Sequence, residues 1–271
     1  MKESLCILQG LFIPGNYTVL NASQWRAANF QTIRNMKMKT ILIVTLLVVT
    51  ALVTLGTVAP VSAAELTVVD AEGITSMNTD VLQAALAEPV YSVLSENEAA
   101  GLIYMREEEK LAHDVYVMLY QQWGLPLFNN IANSEATHTS AIKGLLDRYG
   151  IADPAAGNGV GEFTDPTLQK LYDQLVAQGS QSLVDALKVG AAIEEIDILD
   201  LQTRLAQTAN ADIELVYGNL LKGSRNHLRA FTSTLQRQTG EVYTAQYLDG
   251  ASYNSIVGDS IERGGRRWGN R

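Results

Sequence analysis

The sequence predicts an all-α protein of four long helices, joined by a short, a long and a short connection, with a short extra helix inside the long one. Three observations carry this. Apolar residues recur every three or four positions through four long stretches. Helix-start and helix-stop residues bracket those stretches. No strand-rich region competes with them. With 271 residues, 47% hydrophobic and 18% charged, the chain can bury an ordinary core and is neither disordered nor collagenous. Its formal charge of −9 opposes binding to a phosphate backbone, because that affinity comes from Lys and Arg displacing counterions, so nucleic acid is excluded as a partner.

Residues 1–63 read as an N-terminal extension and an export signal. Lys37 and Lys39 precede an uncharged apolar run from Ile41 to Ala59, followed by small residues at Val61, Ser62, Ala63 and Ala64. Roughly nineteen apolar residues also nearly suffice to span a bilayer, so an uncleaved signal anchor stays open, and contact with a membrane is expected only in that case. Met1 to Asn35 stand in front of an ordinary signal start, and initiation is expected at Met36 or Met38. Removing residues 1–63 removes five basic residues and one acidic residue, which takes the charge from −9 to −13. Cys6, the one cysteine, leaves with them, consistent with an exported domain that has no thiol to oxidise.

A polar lead spans 64–94, and Ser95-Glu96-Asn97-Glu98 then has the form of a capping box that opens the first helix. That helix runs to Trp123 and stops at Gly124. The second starts after Pro126 and reaches Tyr149 before Gly150. So short a link makes the two antiparallel neighbours. Residues 150–180 form the crossover, with Asp165 as cap and Pro166 as first residue of an amphipathic stretch to Gln178. The third helix covers about Gln181 to Thr208 and the fourth about Ala211 to Gln238, before Gly240. One long central crossover between two hairpins is the ferritin-like four-helix bundle arrangement, expected over 95–260. The run from Tyr243 to Gly264 is expected as loop and short helix across one end, and 261–271 as a basic, Gly-rich solvated tail.

Charged residues interrupt every buried stripe. Glu109 breaks the first, Glu135 and His138 the second, Glu194 the third and His227 the fourth, and each break falls near its helix midpoint. Antiparallel helices of similar length align at their centres, so these side chains should meet at one level. Unpartnered there, they would cost several kcal/mol each, which a metal ion offsets. In Glu135-Ala-Thr-His138 the i, i+3 spacing sets carboxylate and imidazole on adjacent turns of one face. Oxygen and imidazole donors without thiolate suit iron or manganese, and zinc less specifically. Glu108 is the rival to Glu109 should the first helix rotate by one residue. Glu107, Glu195 and Asp200 read as a solvated face, His113 as surface, and Tyr116 and Tyr217 as core filling.

The run from Glu109 to Tyr116 has the E-x-x-A-x-x-x-Y form of the first ligand helix of ferritins and rubrerythrins, and Glu135, His138 and Glu194 match their second and third. More closely, REEEKLAHDVY, NIANSEATHTSAI, IEEIDILDL and GSRNHLRAF are similar to the exported ferritin-like proteins grouped as domain of unknown function 2202. The resemblance covers about 95–260 and implies the ferritin-like bundle. It implies little about activity.

One departure matters. The full carboxylate di-metal site takes a second E-x-x-H from the fourth helix, where this chain has Ser224 three before His227. Asp197, one turn after Glu194, could supply the missing carboxylate. Alternatively, Ser224 and His227 form a polar pair. With Asp197 the set holds two ions, and without it one ion or a weaker pair. Two functions stay open at this point. One is a di-iron oxidoreductase or ferroxidase acting on dioxygen or peroxide. The other is a non-catalytic bundle with a single structural metal or none, serving as an envelope binding or scaffold protein. A homodimer is a further expectation.

Overall fold

A computed structural model describes residues 66–87 and 93–263. The expected extension and export signal, residues 64–65 and 88–92 of the lead, and residues 264–271 of the basic tail lie outside the described residues. Two strands come first, β1 (Thr67–Val69) and β2 (Thr75–Met77), and then α1 (Thr79–Ala85). The long helices are α2 (Glu96–Trp123), α3 (Pro126–Tyr149), α5 (Leu183–Leu205) and α6 (Ala211–Thr239). A shorter helix, α4 (Pro166–Gly179), lies in the crossover, and α7 (Gly250–Gly258) follows α6. The described chain is therefore mostly helical.

Local chemistry sets the helix ends. Ser95 Oγ accepts from Glu98 N–H while the Glu98 carboxylate accepts from Ser95 N–H, so two otherwise orphaned donors are satisfied reciprocally. Gly124 closes α2 at φ 63° and Gly150 closes α3 at φ 66°, left-handed conformations that cost a side chain but not glycine. Asp165 caps α4 with Pro166 in its first turn. The third long helix is shorter than expected at both ends. Ser182 accepts from Asp185 N–H and fixes the start at Leu183, and the last turn closes at Ala206.

The strongest packing joins α2 to α3 and α5 to α6, and the pairs meet through α2 with α5 and α3 with α6. Only Gly124 and Leu125 separate α2 from α3, so those partners run antiparallel. On one side α4 lies against α2 and α5, and on the other β2 lies against α3 and α6. The core runs through the middle of this arrangement. Tyr116 and Phe128 both pack on Phe231, with ring centroids 5.1 and 5.8 Å away. Gly190 makes room for them, since a Cβ there would stand 2.4 Å from the Phe231 ring.

The lead is more than a polar segment. β1 and β2 pair antiparallel, Thr67 opposite Met77 and Val69 opposite Thr75, and Leu66, Ile74, Met77 and Leu82 are buried in the common core. Three-residue strands are too short to show a period in sequence, and so small a hairpin is stable only when packed against helices. A side chain on α3 helps to dock it, as Met77 N–H donates to Thr137 Oγ1 at 2.7 Å.

Candidate metal centre

The four long helices bring Glu109 (α2), Glu135 and His138 (α3), Glu194 (α5) and His227 (α6) together, all buried. Glu135 stands at the middle. Its Oε2 lies 2.7 Å from His138 Nδ1 and its Oε1 lies 2.8 Å from His227 Nδ1, one oxygen toward each imidazole. Glu109 Oε2 is 3.4 Å from His138 Nδ1, and Glu194 Oε2 is 3.6 Å from His227 Nδ1. The rings are near parallel, 22° apart with centroids separated by 5.6 Å. Two groups of three donors result, Glu109–Glu135–His138 and Glu135–Glu194–His227, each with ligand atoms within 4.8 Å of one another.

Several of these close contacts are poorly aligned for hydrogen bonding. Both oxygens of Glu109, Glu135 Oε1, Asp197 Oδ1 and the Nδ1 atoms of both histidines are buried with no aligned hydrogen-bond partner. Donor atoms that crowd together while their lone pairs miss one another fit a shared cation, and oxygen and imidazole donors without thiolate fit iron or manganese. The electrostatics follow from the same crowding. Burial works to raise the Glu135 carboxyl, but His138 and His227 outweigh it and hold it well below the usual carboxylate range. Burial lowers both imidazoles, yet Glu135 and Glu109 lift His138 well above its ordinary value, while Glu135 and Glu194 lift His227 to about 9. Burial pushes Glu109 up to about 7 against the pull of His138, and it raises Glu194 against His227.

Asp197 lies beside this group. Burial and the charges of Glu109 and Glu194 push its carboxyl well up, and its Oδ2 accepts from the Ser224 hydroxyl. The expected polar pair between Ser224 and His227 is thus replaced. Ser224 serves Asp197, and a different serine, Ser134 on α3, stands 3.1 Å from His227 Nε2.

The lead supplies a layer behind the histidines. The Thr75 carbonyl of β2 lies 3.2 Å from His138 Nε2 and also accepts from the Ser134 hydroxyl. Thr75 Oγ1 in turn accepts from Asn226 at 2.6 Å. Thr75 therefore holds both rings through its main chain, its carbonyl at His138 Nε2 and its N–H donating to His227 Nε2 at 3.4 Å, so that Nδ1, not Nε2, faces the carboxylates. This is the outer contact that fixes the tautomer of a ligating histidine. Gly223 gives the ring its space, because a Cβ there would stand 2.6 Å from His138 Cε1. Tyr116, expected as core filling, also donates its hydroxyl to Glu194 Oε1 at 2.7 Å.

The solvated-face reading of Glu107 and Glu195 does not hold. Glu107 accepts from Thr164 and Asp165 N–H, and Glu195 accepts from Gln246, Tyr247 and Leu248 N–H, so both are buried as caps for loop amides. Asp200 is half-buried, and His113 is half-exposed with Nδ1 2.7 Å from Asp114. Glu108 and Glu109 are both buried, since α4 covers a second face of α2.

A mostly helical domain with a buried cluster of acidic and histidine side chains able to hold metal is the class these features define. The chain belongs to the family described as "Uncharacterized protein domain (DUF2202)", whose pattern matches residues 98–260. It is 52% identical over 174 residues to "Uncharacterized protein MJ0754" of Methanocaldococcus jannaschii, covering 64% of this chain and 94% of the relative. The crystal structure of hypothetical protein MJ0754 is similar, with a TM-score of 0.63 and 50% identity over 65% of this chain and 99% of that one.

Proposed function

We propose that this chain is an exported, ferritin-like four-helix protein that binds a pair of divalent metal ions, iron before manganese or zinc, and uses them to oxidise Fe(II) with dioxygen or peroxide. One observation carries the reading: Glu135 belongs to both donor triads, with one oxygen toward each imidazole, so it could serve two ion positions at once. Glu109 and His138 would complete the first position and Glu194 and His227 the second, with Asp197 as the further carboxylate. Electron transfer to dioxygen or peroxide is the chemistry that bound iron supplies. The protein's part is to hold Nδ1 of both histidines toward the carboxylates through Thr75 and Ser134, to steady Glu194 through Tyr116, and to keep water from the cluster. The signal-like run from Lys37 to Ala64 supports export, with membrane attachment if that run is retained, and a homodimer is part of the same proposal.

The test is aerobic oxidation of Fe(II) by the purified domain. The protein should exceed the buffer rate, and Glu135→Ala should remove the excess; equal rates for the two proteins would refute the ferroxidase reading. A second reading has its own support. Glu135 between two raised imidazoles is an ion triad that balances its own charge, which suits a register-fixing network in a non-catalytic envelope scaffold. Metal content decides between them. Less than one ion per chain after growth in iron-replete medium, with thermal stability indifferent to chelator, selects the network.

A further inference from the structure

The chain that leaves α7 comes back to α6 beside His227, and Glu262 ties it there. The Glu262 carboxylate accepts from Arg225 through Nε at 2.6 Å and Nη2 at 2.5 Å, and from Arg229 Nη2 at 3.2 Å. Both arginines belong to α6, one on each side of His227 in sequence. A two-point guanidinium–carboxylate pair fixes direction as well as charge. The same segment also lies on the turn of the hairpin, where a Cβ on Gly73 would stand 2.7 Å from Ile261 Cδ1.

Asn226 carries this tie inward. It is 2% exposed, and both ends of its amide are fully used. Oδ1 accepts from the Glu262 N–H at 2.9 Å and from Arg229 Nη1 at 2.7 Å. Nδ2 donates to the Glu262 carbonyl at 3.2 Å and to Thr75 Oγ1 at 2.6 Å. Turning the amide over would set donor against donor at Arg229 and at the Glu262 N–H, so only one orientation satisfies its neighbours. Thr75 is thus gripped by its side chain, while its main chain meets both rings, the carbonyl 3.2 Å from His138 Nε2 and the nitrogen 3.4 Å from His227 Nε2. Securing the end of the chain would need only the outer ion pairs. The buried amide is what joins those pairs to the imidazoles.

We propose that Asn226 and Glu262 are positioning residues of the metal centre: through Thr75 they hold Nδ1 of His138 and His227 toward the carboxylates before an ion arrives. This rests on the metal-binding reading above. Without the clasp Thr75 keeps its place in the hairpin only by packing, the rings lose their fixed direction, and an ion is bound more weakly and with a different arrangement of donors.

The experiment uses Co(II) as the probe. Chelator competition gives its affinity, the ligand-field absorption at saturation reports the donor arrangement, and circular dichroism follows the fold. Glu262→Gln keeps the size of the side chain and deletes its charge. It should bind Co(II) about tenfold more weakly, the low end of the effect of losing an outer contact to a ligand, with a shifted absorption and unchanged helicity. Asn226→Ala should act in the same direction, and the double variant should stay within about twofold of Asn226→Ala alone, because both residues work through one chain of contacts. Asp212→Asn is the control. It breaks a similarly buried pair with Arg148, about 22 Å along α6 from His227, and should lower the melting temperature while leaving affinity and absorption as in wild type. Wild-type affinity and absorption in Glu262→Gln overturn the proposal. So does an equal loss in Asp212→Asn, which makes the effect one of general stability, and so do losses that multiply in the double variant. Failure of wild type to bind Co(II) is a different result, which removes the metal centre itself and the positioning role with it.

Discussion

Metal uptake by this cluster should expel protons, and their number follows from the contacts around Glu135. With no ion bound, the imidazoles stand beside carboxylates that lift His227 to about 9 and His138 well above its ordinary value, so at pH 7 both are protonated. Glu109, raised to about 7, is half protonated there, and Glu194 and Asp197 are raised as well. The protons thus do the work a metal would do, balancing the carboxylates in a dry interior. Ligation requires Nδ1 to be bare, which releases protons from the histidines and a further share from the carboxyls. The two imidazoles alone make apparent affinity fall about a hundredfold for each pH unit of acidification below 7. Calorimetric Zn(II) titrations in buffers of different ionisation enthalpy count the protons, and chelator competition between pH 6 and 8 gives the slope. Release of less than about one proton, or affinity flat across that range, would show that the histidines are neutral beforehand and that this account of the cluster is wrong. The metal-free protein carries the opposite sign. The folded pKa of His227 lies above the unfolded value of 6.5, so the stability it contributes is complete below pH 6.5 and is lost as pH rises through about 9. Chemical unfolding of metal-free protein across that window checks this.

Two further outcomes test the surroundings of the cluster. Ser134→Ala removes the hydroxyl between the Thr75 carbonyl and His227 Nε2 and should weaken metal binding about 10- to 100-fold at unchanged helicity, with Ser134→Thr recovering part of the loss; chelator competition and circular dichroism read the two quantities. Glu195→Ala leaves the amides of Gln246, Tyr247 and Leu248 without their acceptor and should cost about 2–4 kcal/mol in urea unfolding, where less than ~0.5 kcal/mol would mean that water replaces the carboxylate freely.

What the sequence made legible was whatever repeats along one helix or marks its end. The Ser95 capping box, Gly124, Pro126, Gly150 and Asp165 are local signals, and the helix limits they imply agree with the observed ones within a residue. Glu109, Glu135, His138, Glu194 and His227 were legible for a related reason: each breaks an apolar stripe near its helix midpoint, and midpoints meet when antiparallel neighbours align. What was hidden depends on contacts between distant segments. Thr75 acts through its carbonyl, which every residue has, so nothing in the residue type marks it. Glu107 and Glu195 follow the rule for solvated carboxylates until the crossover and the segment after α6 bring unsatisfied amides to them. Glu108 escaped the one-stripe rule because α2 is covered on two faces, by its bundle neighbours and by α4.

Ser224 is where charge balance should show itself. Two divalent ions would carry four positive charges, and Glu109, Glu135 and Glu194 supply three negative ones, which would leave an excess positive charge in a buried site. Asp197 would remove that excess. The Ser224 hydroxyl binds its Oδ2 and leaves Oδ1 without a partner, so the serine that stands where a second E-x-x-H would have glutamate serves to aim a carboxylate from the neighbouring helix. Asp197→Asn keeps the shape and the Ser224 contact while deleting the charge. The first ion should then bind much as before, since Glu109, Glu135 and His138 are untouched, and the second should weaken by about 10- to 100-fold, the scale of one lost charge partner in a buried site. Stepwise Co(II) titration separates the two events. Two equally tight ions in the variant would show that Asp197 is not needed for neutrality, and loss of both would place it in the first site as well.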